Sequence, residues 1–549
     1  MQLRTVQLSK LKTTVFDTVV VGAGINGAVT AAALSARGAR TALIDARDFA
    51  GVASQHSSNL AWGGIKYMES FEFGLVRKLC LSRNHLLRSY PSSVEEIRFF
   101  TMHEKKFRHP LWKLFAGTWL YWFMGNGFTK MPRRLSLSRI KAEEAVVNVA
   151  HCDGGLEYSD AFFRDNDARF VFQFIRSAMD YGCAAANYVE SQGAVRGADG
   201  LWRIAALDKV SGASFTITAK TLVNACGAFV DEHNSRTGQS TQHRHMFSKG
   251  IHLIVNRITD NKRILTFFAD DGRLFFAIPM GDKTCIGTTD TRVSTPLPEV
   301  DDEDRMFVLD NINKRLCLPK PLTIADIISE RCGVRPLAVQ SGGAGSSDWL
   351  QMSRQHAVES NFVDKHISIF GGKLTDCINV GEELCGEIAK MGVTLPFPQR
   401  VWYGEPAGET RAAFLHQCAL LHIDSGTADG GETFSERLWR RYGVHAFAII
   451  DEIRRDPASA ELLIEGADYA VCELMHCARR EMITTLEDFL RRRSNIALTV
   501  RRRDLAASKG LMRACQILFG GAAQAQYDAY FQSKQDGRDS APPELRASC

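Results

Sequence analysis

The sequence predicts an α/β protein of several structural units that ends in a separate helical domain. Three observations predict it. A glycine-rich turn links an apolar strand to an alanine-rich helix near the N-terminus. Strand-like runs recur at Leu222–Ala225, Leu274–Ile278 and His366–Ile369. Beyond about residue 400 the patterning becomes helical. Strands interleaved with helices indicate an α/β fold, with parts of one domain returning late in the chain. At 549 residues the chain is too long for one small core.

Each element has its local cause. Phe16–Val21 is apolar and β-branched, which fits a strand buried on both faces. Ile25–Arg37 is rich in alanine and predicts a helix, and Thr41–Ile44 predicts a second strand. Together they form a βαβ unit. Ser435–Arg455, Asp468–Arg493 and Arg501–Phe519 each predict helix. The polar tail 533–549 contains Pro542–Pro543 and is expected to be disordered.

Composition narrows the function classes. A net charge of +5 is small for this length and gives no reason to expect a nucleic-acid partner. The 14 cysteines form no dense, regular framework, which fits reduced thiols in a cytoplasmic protein. Met1–Val15 carries no apolar signal-peptide core, and the apolar run Leu114–Met124 is shorter than the roughly 20 residues that span a bilayer. No metal site is expected. Cys472, His476 and Cys477 lie on one predicted helix without a second ligand pair, and no second histidine follows His103-Glu104 at metalloprotease spacing.

The turn Gly22-Ala23-Gly24-Ile25-Asn26-Gly27 has the pattern of a dinucleotide fingerprint. Gly22 permits the turn, Gly24 lets the backbone approach a pyrophosphate, and Gly27 lets the helix pack on the strand. The helix N-terminus offers N–H groups to phosphate. Asp45, 18 residues after Gly27, ends the second strand, where a carboxylate accepts hydrogen bonds from ribose hydroxyls. The motif stands alone and early, with no second fingerprint for NAD(P)H, which favours FAD as the sole cofactor.

Further motifs follow along the chain: SSNLAWGGIKY at 57–67, GLEYSD at 155–160, LVNACG at 222–227, KGIH at 249–252 and IGTTD at 286–290. GVRPL at 333–337, Ser353-Arg354, FGGKLT at 370–375 and TTLEDFLRRR at 484–493 come after them. In sequence and in order they resemble the motifs of the FAD-dependent, aerobic-type glycerol-3-phosphate dehydrogenase family. The chain departs from the family pattern at Asn59 and Lys66, where the family has basic residue and arginine, and at Trp62, where it has histidine. Asp376, Cys377 and Ile378 replace a Thr-Tyr-Arg run.

The resemblance implies a Rossmann-like FAD-binding domain of the glutathione-reductase/D-amino-acid-oxidase type, an antiparallel-sheet substrate domain and an α-helical C-terminal domain. The implied boundaries are 1–15 for a leader, 16–80, 150–245 and 332–395 for the FAD domain, 81–149 and 246–331 for the substrate domain, and 400–532 for the helical domain. The implied reaction is hydride transfer from C2 of glycerol 3-phosphate to flavin N5, giving dihydroxyacetone phosphate. The implied acceptor is a quinone; the alternatives are an oxidase that passes the electrons to oxygen, or a related flavoenzyme that acts on another polyol phosphate or hydroxy acid as its substrate. A homodimer is left open.

The matched motifs carry the candidate roles. His252 is the candidate general base, because imidazole titrates near neutral pH. Arg335 is placed to polarise the C2 oxygen, Lys373 to reach the substrate, and Arg354 to clamp the phosphate with its planar fork. Lys66 and Tyr67 complete the substrate set. Ser57, Ser58, Gly63, Gly64, Gly227, Gly371, Gly372, Leu374 and Thr375 are expected to join Gly22, Gly24, Ile25, Asn26, Gly27 and Asp45 around FAD. The Arg491–Arg493 and Arg501–Arg503 runs read as solvated helix faces, or as contacts to anionic lipid or a second subunit.

His103–Arg134 holds seven lysines and arginines, one acidic residue, and Trp112, Phe115, Trp119, Trp122 and Phe123. Aromatics beside cations suit a membrane surface, so a peripheral contact at the inner face of the cytoplasmic membrane is expected. A core helix with a solvated basic flank accounts for the same pattern.

Overall fold

The computed structural model describes residues 2–340, 356–424 and 431–532. Its centre is an eight-stranded sheet ordered Ala357–Asn361, His366–Phe370, Ser214–Asn224, Val15–Val21, Thr41–Ile44, Ala184–Ala186 along the main path. Four of the five pairings on this path are parallel, and the edge pairing of Ala357–Asn361 with His366–Phe370 is antiparallel. Val189–Arg196 and Trp202–Asp208 form an antiparallel extension on Ser214–Asn224. Val19–Val21, Ala42–Ile44 and Leu222–Val223 are fully or nearly fully buried, as their unbroken apolar runs require of strands covered on both faces.

The helix Ile25–Ala36 follows the first strand and is buried along its whole length. Its alanines allow close approach to the sheet and to the helices Asp167–Asp180 and Cys377–Lys390. Residues 2–13, read from sequence as part of a leader, form the helix Gln2–Thr13. Leu11 is buried beneath the sheet, and Arg4 reaches Asp208 at 2.6 Å and the Asn187 carbonyl at 2.9 Å.

A second, ten-stranded sheet runs Thr291–Val293, His243–Asn256, Lys283–Gly287, Leu274–Met280, Ile264–Phe268, Val94–Glu104, Cys152–Phe163, Leu60–Ala61. Ser329–Gln340 pairs with His243–Asn256, and Arg133–Leu135 with Cys152–Phe163. One pairing, Ile264–Phe268 with Val94–Glu104, is parallel, so the sheet is mixed rather than purely antiparallel. Cys152–Phe163 and most of Ser329–Gln340 lie in this sheet although the sequence boundaries grouped them with the nucleotide-binding segments.

The C-terminal region is helical, with breaks where the sequence reading had continuous helices. Gly443 at φ +55° separates Phe434–Tyr442 from Ala446–Arg455. Met482 at φ +50° follows Val471–Arg480 and precedes a widened helical turn, Asp488–Arg493. Ser508, in extended conformation, splits Arg502–Ala507 from Lys509–Phe519. The run Arg491–Arg493 is not a solvated face. All three side chains are buried, and Arg492 and Arg493 converge on the buried carboxylate of Asp48 in the nucleotide-binding sheet's connecting loop.

Candidate active site

The fingerprint turn is held as its glycines demand. Gly22 sits at φ +99°, and a Cβ there would stand 2.4 Å from the Ala225 carbonyl oxygen. A Cβ on Gly27 would stand 1.8 Å from the Gly22 carbonyl oxygen. Gly24 is different: its nearest neighbour would be the Ser54 hydroxyl at 3.2 Å, so the space beside it belongs to no rigid protein group. Ser54 also accepts a hydrogen bond from the Ile25 N–H at 3.0 Å. Asp45 accepts from the Ala23 N–H at 2.7 Å and the Arg47 N–H at 2.9 Å. Burial pushes its carboxyl up to about 6 against the opposing pull of those N–H groups.

A cleft opens at the carboxyl ends of the parallel strands, lined by Gly22, Asp45, Arg47, Cys226, Phe229 and Arg236. This is where an open α/β sheet binds a nucleotide. Gly371 at φ +64° and Gly372 at φ +111° make a second turn against the fingerprint helix. Asn26 donates to the Gly371 carbonyl at 2.9 Å, and a Cβ on Gly372 would press to 2.9 Å from the Asn26 amide oxygen. That buried oxygen has no hydrogen-bond partner among the described residues. Two glycine turns joined by one asparagine form a backbone cradle that fits a dinucleotide. Gly24→Val is expected to fill the cradle and abolish flavin binding. Retention of the yellow absorbance after purification would refute that.

The face above this cradle is built from two paired strands. His252 stands opposite Arg331, Gly250 opposite Gly333, and Ser248 opposite Arg335. Alternation along a strand puts all six on one side of the sheet. The glycines make room. A Cβ on Gly250 would meet the Arg335 guanidinium at 2.3 Å, and one on Gly333 would meet His56 Cβ at 2.7 Å. Gly287 approaches the His252 ring in the same way, its absent Cβ falling 2.7 Å from Cδ2.

His252 Nε2 lies 2.9 Å from the Ser58 hydroxyl. The imidazole is buried and held neutral. Desolvation, then the charges of Arg331 and Arg335, bring its pKa down to about 3. Arg335 donates to the Thr288 hydroxyl at 3.0 Å and to the Thr289 carbonyl and Asp290 carboxylate at 3.3 Å. Lys373 donates to the Tyr67 hydroxyl at 2.8 Å, with its ammonium 4.0 Å from the centre of that ring. Lys66 precedes Tyr67 in the short turn Ile65–Met68 and is half-buried. Thr375 donates to the Trp62 carbonyl at 3.3 Å, which ties the Gly372 turn to the Trp62 segment, and Leu374 begins the short turn between them.

The remaining candidates divide by cause. The Ser57 N–H donates to Asp167 at 2.6 Å. Gly227 is at φ +58° in open space beside the cleft. Gly63 and Gly64 have packing reasons within the protein: a Cβ on Gly63 would stand 2.2 Å from the Tyr121 hydroxyl, and Gly64 is at φ +78° against the Tyr67 ring. Arg354 and its neighbour Ser353 lie outside the described residues. Sequence reasoning missed Arg331. Its signal was the period of two, since it lies four residues before Arg335 on the same strand face.

The fold and the cradle define a flavin-binding oxidoreductase of the two-sheet type. The profile of the FAD dependent oxidoreductase family matches residues 17–351, and the chain belongs to that family. Its cofactor is FAD. Residues 420–521 match a second family, the C-terminal domain of alpha-glycerophosphate oxidase. The chain is similar to glycerol-3-phosphate dehydrogenase 2 of Mycobacterium tuberculosis strain H37Rv, 27% identical, covering 99% of this chain and 94% of that protein. It is similar to glycerol-3-phosphate dehydrogenase of Pseudomonas aeruginosa at 28% identity, covering 88% and 92%. The glycerol-3-phosphate dehydrogenase of Bacillus halodurans complexed with FAD shares the fold, with TM-score 0.72, 21% identity and 97% of each chain covered.

Proposed function

We propose that this protein oxidises sn-glycerol 3-phosphate to dihydroxyacetone phosphate and passes the electrons to a quinone. The observation that carries the reading is the near full-length match to proteins named glycerol-3-phosphate dehydrogenase. Bound FAD supplies the hydride acceptor. The chain's own residues do the rest. Neutral His252 has a lone pair to take the alcohol proton, and Ser58 orients its ring. Arg335, fixed by Thr288 and Asp290, faces developing negative charge on the C2 oxygen. Lys373 and Tyr67 form one unit beside Lys66, and with Arg354 they supply the cationic and hydroxyl groups that a phosphate needs to leave water.

Anaerobic addition of glycerol 3-phosphate is expected to bleach the flavin absorbance, whereas glycerol bleaches it far more slowly. Bleaching by unphosphorylated alcohols alone would sink the substrate assignment. An oxidase reading is favoured by the alpha-glycerophosphate oxidase domain at 420–521. Stoichiometric peroxide under air, with no quinone reduction, would select it.

The quinone acceptor gives a membrane contact a purpose. No helix among the described residues is long and apolar enough to cross a membrane. The helix Leu111–Met124 instead leaves Trp112 68% and Phe123 60% exposed, and it packs beside the helix Phe73–Ser89, next to which Phe71 is 78% exposed. Large aromatics left in water, on a segment that also carries Lys105, Lys106, Lys113 and Lys130, fit an anionic lipid surface. Inserting two aromatic side chains contributes about 1.5–3 kcal/mol each. Trp112→Ser with Phe123→Ser is therefore expected to weaken sedimentation with anionic vesicles by at least about tenfold. Unchanged partition of that double variant would refute the contact.

A further inference from the structure

Arg331 is the largest charged side chain on the active face that no step above uses. It is 1% exposed. Its Nη1 donates to the Ser57 carbonyl and to the Asn59 amide oxygen, both at 2.7 Å. Its Nε and Nη2 have no hydrogen-bond partner among the described residues, and no described carboxylate forms an ion pair with it. A buried guanidinium left so poorly compensated is costly, and such groups persist where their charge has a use.

Its surroundings say what that use is. Arg331 pairs directly with His252 across the two strands, so the guanidinium and the imidazole rise from neighbouring positions on one face. The segment it grips, Ser57–Asn59, carries the Ser58 hydroxyl that bonds His252 Nε2. Among the described residues, the other charged groups around the ring are of the same sign or already engaged. Arg335 lies four residues along the same strand and is paired with Asp290. His56, on the loop before Ser57, is itself held neutral by burial and by Arg491 and Arg331. Arg491, from the helical region, donates to the Gln55 carbonyl and leaves its Nη1 without a hydrogen-bond partner among the described residues. Asp167, a carboxylate whose charge acts on Arg491, accepts from the N–H groups of Ser57 and Ala168.

We infer that Arg331 is a positioning residue: a fixed buried cation set beside His252 across the strand pair, which fastens the segment whose Ser58 hydroxyl orients the imidazole. The inference rests on the reading of His252 as the proton acceptor. A buried, neutral ring keeps its lone pair through the neutral and mildly acidic range.

The test uses the FAD-loaded full chain labelled with nitrogen-15 histidine, with the His252 signal identified by its loss in His252→Asn. Arg331→Gln keeps an N–H donor for Asn59 but removes the charge. Asn59→Asp leaves the arginine in place and neutralises it. Arg331→Lys retains the charge. In the first two variants the ring nitrogens of His252 are expected to titrate higher by about one pH unit or more. Arg331→Lys should titrate like the unmodified protein. The acid limb of anaerobic flavin reduction should move with the ring in each case. If His252 of the unmodified protein is already protonated at pH 6, or if Arg331→Gln and Asn59→Asp titrate as it does, the inference is overturned. Failure of glycerol 3-phosphate to reduce the flavin would instead refute the substrate reading and leave the ring-nitrogen result standing.

Discussion

Asp48→Ala is expected to destabilise the protein by about 3–5 kcal/mol, because it strands buried arginine charge. Asp48 is 1% exposed. It accepts from Arg493 Nη1 and Nη2 at 2.9 Å, from Arg492 Nε at 2.7 Å and from Asn187 at 2.8 Å. Arg492 has other carboxylates, Glu487 at 2.9 Å and Asp488 at 2.6 Å, and would be partly compensated. Arg493 would not. It is fully buried, and without Asp48 its side-chain hydrogen bonding among the described residues shrinks to the Glu481 carbonyl, with its guanidinium 4.1 Å from the centre of the Phe172 ring. The bidentate geometry makes lysine a poor substitute, so Arg493→Lys should also destabilise, though less. Since Asp48 lies three residues beyond Asp45, flavin affinity should fall with stability. Denaturant unfolding followed by flavin fluorescence and by helical signal checks both. The exposed Arg203–Asp199 pair is the control: Asp199→Ala should leave the midpoint unchanged. An Asp48→Ala midpoint equally unchanged would refute this account of how the helical region is fastened.

The fate of Arg491–Arg493 shows where sequence reasoning stops. Three consecutive arginines at the end of a predicted helix ordinarily face water, and nothing within the run says otherwise. Their burial depends on Asp48, more than 440 positions away, and on Gln55 and Glu481. By contrast the βαβ unit was legible because its causes are local. An apolar strand, three glycines with distinct steric tasks and a carboxylate at the next strand end all lie within 30 residues. His252 and Arg335 were legible through motif resemblance. That they share a face is a matter of register, which strand alternation suggests only once the pairing is known. Arg331 needed that pairing and was missed. The helix breaks at Gly443 and Met482 were hidden for another reason: one glycine or one left-handed residue does not interrupt apolar periodicity strongly enough to register.

His252→Asn is expected to slow anaerobic flavin reduction by glycerol 3-phosphate by about 10²–10⁴-fold while FAD remains bound. Asparagine fits the buried site and can still bond Ser58, but it has no basic lone pair for the alcohol proton. The sign of the pH dependence follows from the ring's environment. Burial and two arginines hold the pKa at about 3, so the imidazole stays unprotonated through the neutral and mildly acidic range. Flavin reduction should therefore not fall near pH 6.5, where an ordinary histidine base would become protonated. The same depression has a stability consequence of definite sign. Below about pH 6.5 the unfolded chain binds a proton at this position and the folded chain does not, so stability is lost as pH falls toward the folded value. His233 at about 4, and His366 and His476 at about 3, add to it in the same direction. His356, raised to about 9 by Asp376 and Glu383 despite its burial, acts oppositely: its contribution is present below pH 6.5 and disappears as pH rises through 9. The kinetic and stability effects separate cleanly in His252→Asn, which removes one acid-labile imidazole. It should slow catalysis at every pH yet unfold at slightly lower pH than the unmodified protein. If the variant reduces its flavin within a few-fold of the normal rate, the alcohol proton leaves by another route and His252 serves only to position Ser58.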